Sequence, residues 1–273
     1  MPILRTKFKG EIIAEFLPPS RIMRSVEHDL GVRGRLRGKR KIEVVDEKAK
    51  VIILLQGAPA IPSKSSLIEF WSKKGYWVFF PRYRGTWESG GKFLEKSPEN
   101  DVIDVIDSFN KAFRDYWNEV DYKIDPKKII LICSSFGGPA GIFASRDKRV
   151  DKIIAMCPVV DWKELSPQEG FDKFQNFVNN LFGGAYRGSA QNWKKLERGE
   201  MYNPVNHIEE IDGNKILIFQ TKDDTSVSWR PVASFAKKVG AKLKLYKKGE
   251  HFGLGPVMKP SFTKQILAFI KKK

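Results

Sequence analysis

Cysteine and histidine are scarce in this sequence, which limits the chemistry that it can support. Among 273 residues there are two cysteines and three histidines. Two cysteines cannot form a disulfide framework, and neither zinc-type cysteine pairs nor a His-Glu-x-x-His segment occurs, so we expect no metal site. Cys133 and Cys157 each lie at the end of an apolar run, and we interpret both as buried free thiols.

Long hydrophobic runs are also missing. No apolar run approaches the roughly 18 residues that a membrane-spanning helix needs. Residues 1–7 hold no apolar core of a secretion signal. We therefore expect a cytoplasmic protein that has no membrane partner.

Negative charge is outnumbered by positive charge. The sequence has 49 Lys and Arg against 32 Asp and Glu, which gives a formal net charge of +17. The densest basic stretch contains Arg33, Arg35, Arg37, Lys39 and Lys41, and a strand there would have one basic face. Because no nucleic-acid-binding motif accompanies the stretch, we interpret it as a solvated hairpin near a sheet edge and expect no nucleic-acid partner.

Continuous apolar runs alternate with amphipathic segments along most of the chain. The runs are residues 51–55, 76–80, 129–132, 153–156 and 216–219. Such runs are typical of parallel strands that helices cover on both faces. The partial alternation at 243–246 indicates a strand nearer the sheet edge. The sequence therefore predicts an α/β protein with a doubly wound, mostly parallel sheet.

Amphipathic segments between these runs predict the helices. They cover residues 65–74, 138–145, 231–239 and 260–270. A further helix is expected to begin at Ser97-Pro98-Glu99, with an apolar stripe that continues to Phe113 and Trp117.

Two regions depart from the alternation of strands and helices. Residues 1–50 precede it and are predicted to form short antiparallel strands. Residues 158–213 separate two core strands and are rich in aromatic residues. Long insertions of this kind are usually functional, so we predict a small helical cap over the carboxyl ends of the strands. We find no second domain and treat residues 1–273 as a single domain.

The segment after the run 129–132 carries the strongest chemical signal. The sequence passes from this strand through Ser134 and Ser135 into Phe136-Gly137-Gly138, which is the context of a nucleophile elbow. A small residue is needed two positions after the nucleophile, and Gly137 meets that need for Ser135. Ser134 is a poor alternative because Phe136 would then occupy the crowded position. A simple strand-to-helix turn is the competing interpretation.

An elbow serine needs a histidine and an acid later in the chain. His251 is the one histidine that follows the last predicted strand, so it is the candidate general base. Asp223 and Asp224 both follow the run 216–219 and are candidates to orient it. Backbone N–H groups of Phe136 and of Ala58, which follows the first core strand, are the candidate donors to an oxyanion.

Taken together, these segments resemble the catalytic domain of the prolyl oligopeptidase-like branch of the α/β-hydrolases. The resemblance covers roughly residues 50–270 and rests on segments that occur in the family's order: Gln56-Gly57-Ala58-Pro59, Tyr83-Arg84-Gly85-Thr86, Ser135-Phe136-Gly137-Gly138, Pro158-Val159-Val160-Asp161-Trp162, Asn203-Pro204, Asp224-Thr225-Ser226-Val227 and Glu250-His251-Phe252. It implies a Ser135–His251–Asp224 triad, because Asp224 rather than Asp223 begins the family's Asp-x-x-Val motif.

Four positions depart from the family pattern. Gln56 replaces a histidine, Ala58 and Cys133 replace glycines, and Arg82 stands where aspartate is common. The β-propeller that gates many peptidases of this branch has no counterpart in the sequence.

The resemblance and the motifs together predict a serine hydrolase that needs no cofactor. We expect a small-molecule carboxylic ester, with a short-to-medium or aromatic acyl group, as the substrate. Short peptides or aminoacyl amides are the alternative, and an inactive binding protein of the same fold is another. Gln56, Gly57, Trp87 and Trp162 are the expected substrate contacts.

Overall fold

The chain forms one mixed sheet with helices packed against it. A computed structural model describes residues 3–33, 43–166, 168 and 170–272. Its strands are β1 (Leu4–Phe8), β2 (Ile12–Leu17), β3 (Glu43–Leu55), β4 (Trp77–Pro81), β5 (Phe113–Arg114), β6 (Asp121–Ser134), β7 (Val150–Met156), β8 (Ile216–Thr221) and β9 (Lys242–Tyr246). Its α-helices are α1 (Ser20–Arg33), α2 (Ser65–Ser72), α3 (Glu99–Ser108), α4 (Gly137–Phe143), α5 (Phe171–Phe182), α6 (Ala190–Glu197), α7 (Trp229–Val239) and α8 (Pro260–Ile270).

The strand order confirms the predicted α/β architecture. The order is β1-β2-β4-β3-β6-β7-β8-β9, with β5 paired to β6. The neighbours from β4 through β3, β6, β7 and β8 to β9 are parallel, whereas β1, β2 and β5 pair in antiparallel fashion. Every residue from 51 to 55 is 0% exposed, so both faces of this central strand are covered. As predicted, β9 lies at a sheet edge.

The parallel arrangement positions four chain segments at one edge of the sheet. Strands β3, β6, β8 and β9 all end at this edge, because neighbouring strands run in the same direction. The residues that follow them are therefore brought close together.

The first 50 residues differ in part from the prediction. Strands β1 and β2 are antiparallel, as expected, but residues 20–33 form α1. Pro18 and Pro19 end the strand, and the Pro19 carbonyl accepts the N–H groups of Ile22 and Met23 in the first turn of the helix. Arg33 ends α1, and the rest of the basic stretch, Arg35 to Lys41, lies outside the described residues.

The predicted long helix after Ser97 is also shorter than expected. Helix α3 ends at Ser108, Phe113 belongs to β5, and Trp117 is 67% exposed. The buried Asp115 carboxylate accepts the backbone N–H groups of Trp117 and Asn118, at 3.3 and 2.9 Å. The pairing of β5 with β6 and this local turn together hold residues 113–118 in a non-helical conformation.

Residues 158–213 connect β7 to β8 and contain α5 and α6. We call this segment the insert. Within the described ranges of the chain, no helix has the length and apolar character needed to cross a membrane.

Candidate active site

Ser135 lies at a sharp turn between β6 and α4. Its backbone φ angle is 50°, a value that residues other than glycine rarely adopt. The Ser135 N–H donates to the Met156 carbonyl at 3.0 Å, and the Ser135 carbonyl accepts the Gly138 N–H at 2.9 Å. A Cβ on Gly137 would lie 2.5 Å from the Leu55 oxygen, so only glycine fits between this turn and the end of β3.

The loop that follows β3 lies directly against Ser135. A Cβ on Gly57 would be 3.0 Å from Ser135 Cβ and 3.5 Å from Ser135 Oγ. The buried Tyr83 hydroxyl donates to the Gln56 carbonyl at 3.2 Å and holds the start of the loop. Gln56, Gly57, Ala58 and Phe136, all predicted from the sequence, line the same cavity as Ser135.

His251 lies in the loop after β9 and is paired with Asp224. Its Nδ1 atom is 2.9 Å from Asp224 Oδ2. Asp224 Oδ1 accepts the N–H groups of Ser226 and Val227 at 2.9 and 2.8 Å. Burial of Asp224 by itself raises the pKa, but the hydrogen bond and charge of His251, together with the Val227 N–H, outweigh it and hold the pKa of Asp224 below its ordinary value. The carboxylate is therefore ionised beside the imidazole.

Asp223 occupies a different position from Asp224. Its two carboxylate oxygens accept the backbone N–H groups of Gly249 and Glu250, each at 3.1 Å. The Thr221 hydroxyl donates to the Glu250 carbonyl at 2.7 Å. Asp223 and Thr221 thus fasten the loop that carries His251, while Asp224 contacts the imidazole itself.

Ser135 and His251 line one cavity of about 630 Å³. In the described part of the chain no direct hydrogen bond joins Ser135 Oγ to the His251 ring. Hydrogen bonds of this kind are often long in unliganded enzymes and shorten when substrate binds. The cavity lies at the carboxyl edge of the sheet, where ligands of such folds bind.

The insert forms much of the apolar wall of this cavity. The residues that it contributes are Val159, Trp162, Leu165, Lys173, Phe174 and Phe177. Trp162, a predicted substrate contact, is 2% exposed, and its indole N–H donates to the Tyr202 carbonyl at 2.7 Å. Trp87 is not among the described residues that line the cavity. Its indole N–H instead donates to the Ala60 carbonyl at 3.1 Å, so Trp87 supports the loop that does line the cavity.

Two buried side chains that the sequence interpretation missed support the site. Gln220 Nε2 donates to Asp224 Oδ2 at 3.2 Å and to the Val227 carbonyl at 3.0 Å. The Tyr202 hydroxyl donates to the Phe136 carbonyl at 2.7 Å and accepts the Ala140 N–H at 3.0 Å. Gln220 is a polar residue at the end of an apolar strand, which is a usable signal, whereas Tyr202 lies in the insert with no pattern to mark it.

Cys157 lies beside the His251–Asp224 pair. The possible ligand atoms of Cys157, Asp224 and His251 all lie within 4.8 Å of one another, and no other group of this kind occurs among the described residues. Burial raises the pKa of the Cys157 thiol, and the charge of Asp224 raises it further. A metal ion at this place would have to displace the thiol proton and would take the imidazole away from Asp224.

Comparison with known protein families and structures gives consistent results. Residues 62–273 match the sequence model of the prolyl oligopeptidase family. No curated protein sequence matches the chain. An esterase from Pyrococcus furiosus has a similar structure, with a TM-score of 0.61 and 16% identity over 99% of this chain and 89% of the esterase.

Part of a larger peptidase is also similar. An acylaminoacyl peptidase from Pyrococcus horikoshii superposes with a TM-score of 0.57 and 16% identity, over 98% of this chain but 40% of the peptidase. At these identities the two likenesses establish the α/β-hydrolase fold and no more.

Proposed function

Because the chain belongs to the prolyl oligopeptidase family of serine hydrolases, we propose that it hydrolyses carboxylic esters with short-to-medium or aromatic acyl groups. The observation that carries this proposal is one shared cavity. In it, Ser135 on its strained turn faces the loop of His251, whose Nδ1 atom is 2.9 Å from the ionised Asp224.

In the proposed reaction, Ser135 is the nucleophile and His251 is the general base. The Nε2 atom of His251 takes the hydroxyl proton as Ser135 Oγ attacks the ester carbonyl carbon. Asp224 keeps the Nδ1 proton in place and stabilises the imidazolium that forms. His251 then returns the proton to the leaving alcohol, and water attacks the acyl-enzyme by the same route.

The oxyanion of each tetrahedral intermediate needs hydrogen-bond donors that are already in place. We assign this role to the backbone N–H groups of Phe136 and Ala58. The support is the close approach of Gly57 to Ser135, which places the loop after β3 beside the nucleophile. The Tyr202 and Tyr83 hydroxyls hold the carbonyls of Phe136 and Gln56, and so fix both donor segments from behind.

The size and lining of the cavity favour a small substrate. A volume of about 630 Å³ suits a single small molecule, and the insert lines it with aromatic rings that fit an apolar acyl group. The family match itself favours the alternative, a peptidase that acts on short peptides or aminoacyl amides.

A fluorophosphonate probe tests the proposal, since it labels an activated serine. We expect an adduct on the wild-type protein and none on Ser135→Ala. Ser134→Ala is the matched control, because Ser134 also lines the cavity but precedes the turn, and it should still be labelled. A folded wild-type protein without an adduct would instead be a binding protein of this fold.

A substrate panel then separates esters from amides. Nitrophenyl esters of two- to eight-carbon and aromatic acids are compared with aminoacyl nitroanilides at equal enzyme concentration. We expect a higher kcat/KM for the esters. Turnover of the anilides without turnover of the esters would replace the esterase proposal with the peptidase alternative.

A further inference from the structure

The cavity that holds Ser135 is positively charged at two points. Among the described residues that line it, Lys64 and Lys173 are the lysines, and no aspartate or glutamate lines it. The two lysines come from separate walls. Lys64 precedes α2, on the chain that continues from the Gln56–Ala60 loop, whereas Lys173 lies in the first turn of α5 in the insert.

Lys64 is a partly buried lysine with no acidic partner. In the described part of the chain, no carboxylate lies within ion-pair distance of its ammonium group. Burial lowers the pKa of Lys64, and no nearby carboxylate opposes this effect. A half-buried ammonium group without a counter-ion costs free energy that a bound anion would recover.

Lys173 lies at the exposed rim of the same cavity. Its Nζ atom donates to the Gln168 carbonyl at 2.8 Å, which is a neutral acceptor, and no carboxylate among the described residues pairs with its ammonium group. An anion that enters the cavity therefore meets two ammonium groups, that of the exposed Lys173 and that of the partly buried Lys64.

Given the proposed esterase activity, we propose that the substrate is an anionic ester, one that carries a carboxylate on the part that fills this cavity. Lys64 binds the carboxylate through a charge-assisted hydrogen bond, and Lys173 attracts it at the rim. The apolar rings of the insert contact the carbon chain between the carboxylate and the ester. Lys64 and Lys173 are then specificity-determining residues, and the Ser135–His251–Asp224 chemistry is unchanged.

A matched pair of esters tests the charge preference. Nitrophenyl hydrogen adipate and nitrophenyl hexanoate have acyl chains of equal length and differ by one carboxylate. We expect kcat/KM to be about tenfold higher for the anionic ester, which is the effect of one hydrogen bond to a charged group. 3-Carboxy-4-nitrophenyl hexanoate keeps a nitrophenol leaving group and carries the carboxylate on it, so it shows which side of the substrate the lysines bind.

Variants identify the lysine that is responsible. Lys64→Met should lower kcat/KM for the preferred anionic ester about tenfold and change that for the neutral ester by no more than about twofold, since the neutral ester has no carboxylate for the ammonium group to bind. Lys64→Arg should keep most of the preference and Lys64→Glu should reverse it. Lys264→Met, on the exposed side of α8, is the control and should change neither ester.

The possible outcomes separate this inference from the esterase proposal. The charge preference is overturned if the neutral ester reacts at least as fast as both anionic esters and Lys64→Met does not change these rates. That result would leave the esterase proposal intact. Failure of all three esters together with absence of probe labelling overturns the esterase proposal itself. Since the neutral ester reports folding in every variant, a misfolded variant is recognised by loss of both activities.

Discussion

The thiol of Cys133 occupies the space that a side chain at Gly141 would need. A Cβ on Gly141 would lie 2.6 Å from Cys133 Sγ and 3.3 Å from Cys133 Cβ. Cys133 lies on β6 two residues before Ser135, where this family usually has glycine, and Gly141 lies on the facing side of α4. Glycine at position 141 of the helix thus leaves room for the larger side chain of Cys133 on the strand.

This relationship predicts a coupling between the two positions. Gly141→Ala should destabilise the protein by about 1–3 kcal/mol through overpacking, although alanine is normally better than glycine in a helix by up to about 1 kcal/mol. In a Cys133→Gly background the same substitution should lose most of its cost. Urea unfolding of the wild type, the two single variants and the double variant gives the coupling free energy. Additive effects would show that the two residues do not compete for space.

Replacement of Asp224 by asparagine should keep the shape of the site and remove its charge. We expect Asp224→Asn to lower kcat by about four orders of magnitude, because the amide favours the wrong imidazole tautomer. Asp223→Asn is the matched control, since Asp223 holds the backbone of the His251 loop and does not touch the ring. Steady-state kinetics on one ester compares them, and equal losses in both variants would contradict the assignment of Asp224.

The same carboxylate predicts a pH dependence of stability. The pKa of Asp224 in the folded protein is lower than its ordinary value, which is about 3.9 in an unfolded chain. Ionised Asp224 therefore stabilises the fold above that value, and this contribution is lost as the pH falls through the lower, folded-state pKa. The free energy of unfolding of the wild type relative to Asp224→Asn should thus decrease from pH 6 towards pH 3. A difference that is the same at both pH values would contradict the shift.

Arg82 predicts a large difference between its two acidic partners. Its side chain is 0% exposed, and it pairs with the buried Glu15 at 2.8 Å and with the half-exposed Glu88 at 2.7 Å. Glu15→Gln should cost about 3–5 kcal/mol, because it leaves a buried guanidinium without its buried counter-ion. Glu88→Gln should cost less than about 1 kcal/mol, since Glu88 is half-exposed and solvent already weakens its ion pair. Thermal unfolding measures both, and equal losses would show that the Glu15 pair is not special.

Gln220 predicts a positioning effect on Asp224. Gln220→Leu removes the donor to Asp224 Oδ2 and leaves the Val227 carbonyl unpaired. We expect kcat to fall about tenfold through misplacement of the histidine–acid pair, with little change in KM. The Gln220→Glu variant keeps the shape and adds a carboxyl group beside Asp224, so the pH profile of its kcat should differ from that of the wild type. A change in KM alone would assign Gln220 to substrate binding.

The sheet could be predicted because its strands are buried on both faces. Residues 51–55 have no polar side chain, and this pattern fits neither a surface helix nor a half-exposed strand. The spacing of apolar residues after Ser97 also fits a helix beyond Ser108. That prediction was wrong because Phe113 and Arg114 pair with β6 and the Asp115 carboxylate binds the backbone that follows them. A period of apolar residues carries no information about either contact.

The candidate site residues that follow strands could be predicted from the sequence. The buried residues that hold them in place could not. Ser135, Asp224 and His251 follow strands, so their order along the chain and the parallel sheet are enough to bring them to one edge. Trp87 was expected at the substrate, yet its indole N–H donates to the Ala60 carbonyl. The roles of Tyr202 and Trp87 depend on contacts between distant segments, which periodicity does not encode.

The insert and the sheet contribute different kinds of residue to the cavity. The proposed catalytic residues Ser135, Asp224 and His251 all follow core strands, whereas Leu165, Lys173, Phe174 and Phe177 come from the insert. Replacing residues 163–201 with another sequence should therefore change the acyl preference and leave the proposed catalytic residues in place. Such a replacement has to end before Tyr202, because the Tyr202 hydroxyl donates to the Phe136 carbonyl.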